Sequence, residues 1–398
     1  MDITIHPGKL KGKISAIPSK SQAHRLLICA AFSDWDTEII CHATNQDIEA
    51  TASCLCALGA KIERTECGYR VHPITVCPSS VVLDCRESGS TLRFMLPIVG
   101  ALGVDATFKM QGRLPLRPLS PLWDEMVRMG CTLARPTHDT ISCKGKLQPG
   151  NYQIAGNVSS QYISGLLFAT ALMDGQSSIT IIGELESRPY VELTQQTLQR
   201  FGIHTHNYLI HGKRPLRSPK SVTVEGDWSN AAFFLAANAL GSEITLTGVN
   251  HNTVQGDRAA EQIIDALSCN ITVDAKDIPD LVPILAVVAG AKSGATFNGI
   301  SRLRLKESDR IATVMAALAS LGINSVATEN TLTIEHAPFK GCTIDAAGDH
   351  RIAMAAAIAA TIASGPVTIL GAECVAKSYP SFWDDYKQLG GHYEQHIR

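Results

Sequence analysis

The chain has 398 residues, which favours two domains because a single hydrophobic core stops growing at about 250–300 residues. Its 35 basic and 37 acidic residues nearly balance, so no strong overall field attracts nucleic acid or an acidic membrane surface. Hydrophobic residues make up 45% and aromatic residues 6%, a composition typical of a globular α/β enzyme. The opening residues MDITIHPGKLKGK contain no apolar signal core, which predicts a cytoplasmic protein whose twelve cysteines stay reduced.

Taken in chain order, the segment DITIHP at residues 2–7 predicts a first strand, and six largely apolar helices then follow at intervals. A helix that is apolar nearly all round is buried inside a domain. The longest apolar runs are shorter than the roughly 18 residues that a membrane span needs. The six predicted buried helices lie at residues 19–32, 89–103, 159–172, 227–241, 280–294 and 349–365.

Between these helices a second, amphipathic helix recurs, and most copies end in a glycine followed at once by a short strand. Glycine is the expected residue just past a helix because it adopts a left-handed conformation without steric cost. The copies recur roughly every 70 residues, a period that indicates an internal repeat. The capping positions are Gly59, Gly130, Gly202, Ser268, Gly322 and Gly390.

Six repeats, three in each half, predict two similar α/β globules with buried helices inside and sheets outside. We expect the first globule to span residues 14–225. The second combines residues 1–13 with residues 226–398, because the strand DITIHP is expected to pair with the C-terminal half.

Each predicted buried helix begins with polar or charged residues. Ser and Asp are common N-caps, but Lys20, Arg25, His350 and Arg351 place positive charge where the helix dipole is already positive. We therefore expect an anion at these helix starts, in a cleft between the globules. Loops add further cations, among them Arg117 in GRLPLRPLSP, Lys306 and Arg310 in RLRLKESDR, and Lys377 in AKSYP.

Nine segments in order carry a family resemblance that spans essentially the entire chain: PSKSQAHR, ESGSTLR, LPLRP, SSQYISGLL, SRPYVELT, VEGDWSNAAFFL, LRLKESDR, GDHRIAMA and AKSYP. Together they resemble the 3-phosphoshikimate 1-carboxyvinyltransferase family, also called EPSP synthase. The resemblance implies transfer of the enolpyruvyl group of phosphoenolpyruvate to the 5-hydroxyl of shikimate 3-phosphate, with release of phosphate, in chorismate and aromatic amino acid biosynthesis. It also implies two domains that close over the substrates. Each domain is an inside-out α/β barrel built from three pseudo-symmetric βαβαββ units.

The same resemblance implies roles for individual residues. The shikimate 3-phosphate set is Lys20, Ser21, Arg25, Ser159, Ser160, Gln161, Ser187, Tyr190, Asp280 and Lys306. The phosphoenolpyruvate set is Lys20, Gly89, Arg117, Gln161, Arg310, His350, Arg351 and Lys377. Asp280, Glu307 and Lys20 are the expected catalytic residues: Asp280 deprotonates the reacting hydroxyl, Glu307 exchanges a proton with the methylene carbon, and Lys20 assists.

One departure concerns Glu87, which stands where the family usually has asparagine. An ionised carboxylate beside phosphoenolpyruvate is unfavourable, so we expect the Glu87 side chain to point away from the ligand. Backbone N–H groups of this turn would then contact the anion.

Two alternatives have different discriminating features. The related UDP-N-acetylglucosamine 1-carboxyvinyltransferases usually carry a cysteine in the loop that reads GRLPLRPLSP here, and this loop has none. A non-enzymatic repeat scaffold would not need Asp280 and Glu307 among arginines.

No zinc-type cysteine and histidine spacing, P-loop or GxGxxG occurs, so we expect no metal and no cofactor. The expected partners are the two small substrates alone, and the expected state is a monomer.

Overall fold

The computed structural model describes residues 1–212 and 215–396. Its α-helices are α1 (Lys20–Ala31), α2 (Gln46–Ala57), α3 (Gly89–Leu102), α4 (Leu122–Arg128), α5 (Ser160–Leu172), α6 (Arg188–Arg200), α7 (Trp228–Ala239), α8 (Ala260–Ala266), α9 (Val282–Ala291), α10 (Arg310–Ser320), α11 (His350–Ala360) and α12 (Phe382–Gln388).

The strands of the described residues fall between these helices in a repeating order. They are β1 (Asp2–Ile5), β2 (Lys11–Ser15), β3 (Thr37–Ile40), β4 (Lys61–Thr65), β5 (Gly68–His72), β6 (Ser80–Asp84), β7 (Asp105–Lys109), β8 (Cys131–Ala134), β9 (Thr140–Gly145), β10 (Asn151–Ala155), β11 (Gln176–Ile182), β12 (Leu209–His211), β13 (Ser221–Thr223), β14 (Glu243–Thr247), β15 (Ile271–Asp274), β16 (Ala295–Asn298), β17 (Ser325–Ala327), β18 (Thr331–Ile334), β19 (Cys342–Asp345), β20 (Val367–Leu370) and β21 (Tyr393–His396).

The chain forms two compact units. We call Pro18–Val224 the N-terminal unit, and Met1–Ile17 with Glu225–Arg398 the C-terminal unit. The first boundary between the two units lies after Ile17, later than the expected boundary before residue 14. The reason is that β2 pairs in parallel with β14 over Lys11–Ser15. Strand pairing therefore keeps the whole of β2 with the C-terminal unit.

In the N-terminal unit, helices α1, α3 and α5 are buried along almost their whole length. Three sheets accompany them, with strand orders β13-β3-β5-β4, β6-β7-β9-β8 and β10-β11-β12. Strands β6 and β7, on either side of α3, pair in parallel with Leu83 opposite Phe108. The buried helix is thus the crossover of a β-α-β unit, which explains why it faces the core.

The C-terminal unit repeats this plan around α7, α9 and α11. Its sheets have the orders β14-β2, β15-β16-β18-β17 and β19-β20-β1-β21. The N-terminal strand β1 pairs antiparallel with both β20 and β21. After α8 the chain enters β15 directly, whereas antiparallel hairpins, β4-β5, β8-β9 and β17-β18, follow α2, α4 and α10.

The capping glycines adopt the predicted conformation. Helices α2, α4, α6, α10 and α12 each end two residues before a glycine with positive φ. These glycines are Gly59, Gly130, Gly202, Gly322 and Gly390, with φ between +82° and +112°. Among residues 1–212 and 215–396, no helix combines the length and the apolar character needed to cross a membrane.

Close packing between two buried helices fixes the geometry of the N-terminal unit. A Cβ atom added at Gly165 of α5 would lie 2.2 Å from the Arg93 carbonyl oxygen of α3. Only glycine permits this approach. It brings the first turns of α3 and α5 together, where Arg93 and Gln161 begin the candidate site.

Candidate active site

The Lys20 ammonium group at the start of α1 is paired within the N-terminal unit. Its Nζ lies 2.8 Å from Asp47 Oδ2, and both side chains are 17% exposed. Asp47 lies in the first turn of α2. A carboxylate of the chain itself therefore offsets the cation that the sequence placed at this helix start.

Arg25, further along α1, is buried and donates hydrogen bonds to groups on several helices. Its Nε donates to Thr194 Oγ1 at 2.7 Å, and its Nη2 donates to the Tyr190 carbonyl at 2.9 Å and to Ser164 Oγ at 3.3 Å. Its Nη1 donates to the Ser21 carbonyl at 2.6 Å. Burial lowers the pKa of Arg25 to about 10. These contacts tie α1 to α5 and α6 and place the Arg25 guanidinium beside the Ser21 and Tyr190 backbone carbonyls.

Gly89, the first residue of α3, lies against two guanidinium groups. A Cβ atom there would be 2.4 Å from Arg93 Nη1 and 2.8 Å from Arg117 Nη1. The space beside Gly89 is thus occupied by arginine side chains. Arg93 also donates to Gln161 Oε1 at 3.1 Å, and Gln161 Nε2 donates to Ser90 Oγ at 2.9 Å.

The Glu87 carboxyl group lies against the loop that leads to Arg117. A Cβ atom at Gly112 would be 2.4 Å from the Glu87 carboxyl carbon, and Gly112 has φ +56°. The positive φ favours glycine at this position, and a side chain there would also have to displace the Glu87 carboxyl group.

Serines begin the two helices that flank this site. Ser159 caps α5, its Oγ accepting a hydrogen bond from Gln161 N at 3.3 Å, and Ser160 follows it. Ser187 precedes α6 with φ +55° and is buried. A left-handed conformation is costly for serine, and such residues cluster at ligand sites.

Asp280 is the centre of the polar cluster in the C-terminal unit. Its Oδ1 accepts from Arg310 Nη1 at 2.6 Å and lies 3.5 Å from Lys306 Nζ, and its Oδ2 accepts from Arg351 Nη2 at 3.1 Å. Burial alone would raise the pKa of Asp280. The positive charges of Arg351, Lys306 and Arg310 outweigh it and hold the pKa well below the ordinary value.

Arg310, at the start of α10, joins three carboxylates. Besides Asp280, its Nη2 donates to Glu307 Oε2 at 2.7 Å and its Nε donates to Asp349 Oδ2 at 2.8 Å. Burial opposes its charge, but Asp349, Glu307 and Asp280 raise the pKa of Arg310 well above the ordinary value. Arg310 is 1% exposed, so protein carboxylates, instead of water, stabilise its positive charge.

Lys306 loses its charge more readily than its neighbour Arg310 does. Burial lowers the pKa of Lys306 to about 8, although the charge of Asp280 opposes the shift. A lysine with such a pKa changes its protonation state close to neutral pH. The pattern RLRLKESDR predicted a cation at this position but not its lowered pKa.

The start of α11 supplies the remaining predicted groups. His350 and Arg351 are buried in its first turn, and Asp349 caps the helix by accepting from Arg351 N at 3.0 Å. Lys377 donates to the Gly348 carbonyl at 3.0 Å, so its loop reaches the same helix start. Asp280, Lys306, Glu307, Arg310 and Arg351 are thereby brought into one contact network, with His350 and Lys377 beside it.

Sequence reasoning missed the carboxylates that organise these cations. Asp47 and Asp349 pair with Lys20 and Arg310, and Asp257 contacts Ser229, which in turn contacts Arg351. The available signal was an acidic residue in or just before a helix, which is also the signature of an ordinary N-cap. Chemically, the two networks offer arginine and lysine donors to anions and buried carboxylates for proton transfer.

Comparison with known proteins adds a family match. The family model described as EPSP synthase (3-phosphoshikimate 1-carboxyvinyltransferase) matches residues 5–386. A 3-phosphoshikimate 1-carboxyvinyltransferase of Clostridium acetobutylicum is 38% identical, covering 98% of this chain and 97% of its own length. One of Clostridium beijerinckii is 36% identical and covers 99% and 98%.

Solved structures agree in fold. An EPSP synthase from Acinetobacter baumannii superposes with a TM-score of 0.81 at 24% identity, over 99% of this chain and 100% of that one. The enolpyruvyl transferase NikO from Streptomyces tendae has a TM-score of 0.79 at 17% identity, over 100% and 99%. The predicted α/β fold class, with two inside-out domains, is confirmed by these similarities.

Proposed function

We propose that this chain, which belongs to the EPSP synthase family, transfers the 1-carboxyvinyl group of phosphoenolpyruvate to the 5-hydroxyl of shikimate 3-phosphate and releases phosphate. The observation that carries the proposal beyond family membership is Asp280, a carboxylate held between Lys306, Arg310 and Arg351. We further propose that the two compact units act as its two domains and that the enzyme works as a cytoplasmic monomer in aromatic amino acid biosynthesis.

Substrate binding is assigned to groups at helix starts and to the loop cations Arg117, Lys306 and Lys377. Ser21, Arg25, Ser159, Ser160, Gln161, Ser187 and Tyr190 bind shikimate 3-phosphate, joined by Lys20, Asp280 and Lys306. Gly89, Arg117, Gln161, Arg310, His350, Arg351 and Lys377 bind phosphoenolpyruvate, with Lys20 reaching both ligands. Support comes from the N–H groups and positive dipole ends of these helices, which favour phosphate and carboxylate, and from the planar guanidinium, which binds both anions in a bidentate manner.

Proton transfer is assigned to two carboxyl groups. Glu307 in its acid form gives a proton to the methylene carbon of phosphoenolpyruvate, which makes the neighbouring carbon electrophilic. The 5-hydroxyl oxygen bonds to that carbon and loses its proton to Asp280, forming a tetrahedral adduct. Glu307 then takes a proton back from the methyl group as the carbon–oxygen bond to phosphate breaks, and the proton held by Asp280 passes to the departing phosphate. Lys20 assists these steps with its charge.

Electrostatics link substrate binding to the strength of the base. With its pKa held well below the ordinary value by Arg351, Lys306 and Arg310, Asp280 is a weak proton acceptor. An anionic substrate that binds these cations offsets their charge, so the pKa of Asp280 rises when the site is filled. The base is therefore strongest when the hydroxyl that it must deprotonate is present.

A phosphate-release assay tests the function directly. Phosphoenolpyruvate is supplied with either shikimate 3-phosphate or UDP-N-acetylglucosamine, and inorganic phosphate is measured over time. We expect release only with shikimate 3-phosphate. Release with the sugar nucleotide alone would support the sister activity instead, and no release with either acceptor would support a non-enzymatic scaffold.

A further inference from the structure

Asp257 occupies a buried position outside the residues assigned above. It lies in a 3₁₀ turn, Gly256–Ala259, that leads into α8, and it is 5% exposed. The Ser229 hydroxyl, in the first turn of α7, donates a hydrogen bond to Asp257 Oδ2. Asp257 is thus held against the start of a buried helix.

Ser229 continues the contact toward the proposed base. Arg351 Nη2 donates to Ser229 Oγ at 3.3 Å and to Asp280 Oδ2 at 3.1 Å. One hydrogen-bonded chain therefore runs from Asp257 through Ser229 and Arg351 to Asp280. It crosses the starts of α7 and α11 and ends just before α9.

We propose that Asp257 is a positioning residue that, through Ser229, holds the Arg351 guanidinium against Asp280. The proposal rests on the proposed function, because it concerns the base of that reaction. When Asp257 is ionised, Ser229 donates to it and keeps an oxygen lone pair for Arg351. This polarity fixes Arg351 between Ser229 and the Asp280 carboxylate.

Charge adds a second effect on Asp280. Burial raises the pKa of Asp257 to about 6, the like charges of Asp280 and Asp227 contribute to the rise, and Arg351 opposes it. Asp227 caps α7, Asp280 lies just before α9, and Arg351 lies on α11. Below about pH 6 Asp257 becomes neutral, Ser229 no longer contacts a carboxylate there, and Asp280 loses a neighbouring negative charge that made it more basic.

The N-terminal unit has a carboxylate in the corresponding place. Asp47, at the start of the helix after α1, pairs with Lys20 in the first turn of α1. Asp257, just before the helix after α7, contacts Ser229 in the first turn of α7. The two repeats thus use an acidic residue at the same point to hold a group at the start of the buried helix.

The experiment compares Asp257→Asn and Ser229→Ala with wild-type enzyme between pH 5 and 9. Asp265→Asn is the matched control, since it removes the same charge from an exposed position on α8. We expect kcat of Asp257→Asn to fall about tenfold at pH 7, as for a small misplacement of reacting groups, with the KM for shikimate 3-phosphate unchanged. We also expect the acidic limb near pH 6 in the kcat profile of the wild type to be absent from Asp257→Asn.

Several outcomes decide the proposal. A kcat and a pH profile of Asp257→Asn equal to those of the control would overturn it. If Asp257→Asn does not fold, Ser229→Ala must reproduce the loss of kcat, and normal turnover of that variant would overturn the proposal. If the wild type releases no phosphate, the proposed function fails, and NMR titration of ¹³Cγ-labelled aspartates decides the positioning role. In that titration, the resonance of an aspartate other than Asp257 must shift in both Asp257→Asn and Ser229→Ala but not in Asp265→Asn. If no such shift occurs, the proposal is overturned.

Discussion

At the scale of single residues, the cations that open the buried helices are balanced by carboxylates of the chain itself. Positive charge at the helix starts predicted an anion near Lys20 and Arg351, and the structure places Asp47 and Asp280 there. Removing one partner from a buried pair is costly, so these carboxylates stabilise the cations in the folded chain.

Lys306 gives a pH prediction for activity. Its pKa of about 8 means that it is charged below this pH and neutral above it. If its charge holds an anionic substrate, kcat/KM falls as the pH rises through about 8. In Lys306→Arg the guanidinium stays charged at all accessible pH values, so we expect the basic limb to move upward. A pH series of kcat/KM measures this.

The control for this prediction is Lys340→Arg, a change at an exposed lysine of the same unit. Its profile should match that of the wild type. A basic limb that stays near pH 8 in Lys306→Arg would remove Lys306 from substrate binding.

At the scale of elements, five of the six amphipathic helices share a glycine ending, but these glycines differ in local environment. A Cβ atom at Gly130 would lie 2.7 Å from the Lys146 carbonyl oxygen, whereas at Gly390 no atom lies within 4 Å. Gly390→Ala should lower the free energy of unfolding by about 1 kcal/mol, the cost of a left-handed alanine. Gly130→Ala should cost about 3 kcal/mol, because overpacking adds to the backbone cost. Urea unfolding of both variants tests the difference, and equal losses would contradict it.

Helix α11 gives a second element-scale prediction. Asp349 caps it and also accepts from Arg310 and Ser308. Asparagine preserves the cap but not the charge, so Asp349→Asn leaves Arg310 with one fewer carboxylate. We expect a loss of about 2 kcal/mol in the free energy of unfolding, below the full cost of breaking a buried pair, because Asp280 and Glu307 remain.

The matched control is Asp309→Asn, at the N-cap of α10. The Asp309 side chain is 39% exposed and accepts from Ala312 N. Asparagine caps helices as well as aspartate does, so we expect a change below about 0.5 kcal/mol. A loss for Asp349→Asn no larger than this would show that its charge contributes little to stability.

At the scale of the whole molecule, the sequence was most informative where a local rule repeats. The glycine caps and the apolar helices each follow from backbone conformation and burial, so their positions could be predicted from residues such as Gly59 and Gly322. The pairing of β2 with β14 was not predictable, because it joins strands more than two hundred residues apart in the chain. The N-terminal strand β1 was expected to pair with the C-terminal half, but its exact partners, β20 and β21, likewise have no local signature in the sequence.

The candidate site was predictable to a similar degree. Residue types at helix starts indicated an anion site, and family resemblance supplied the roles of Asp280 and Glu307. The partners of the cations could not be predicted. Lys20 pairs with Asp47 and Arg351 with Asp280, at separations set by how the repeats pack. The lowered pKa of Lys306 likewise depends on burial that only the folded chain creates.

Turnover by Asp280→Asn is the most direct test of Asp280 as the base. The affinity for shikimate 3-phosphate is determined by calorimetry, and Asp274→Asn is an exposed control. Asparagine keeps the shape of the side chain but cannot accept the hydroxyl proton. We predict that phosphate release at saturating substrates falls about 10²–10⁴-fold, while the Kd for shikimate 3-phosphate stays close to that of the wild type. Turnover near the wild-type rate would contradict the assignment of Asp280 as the base.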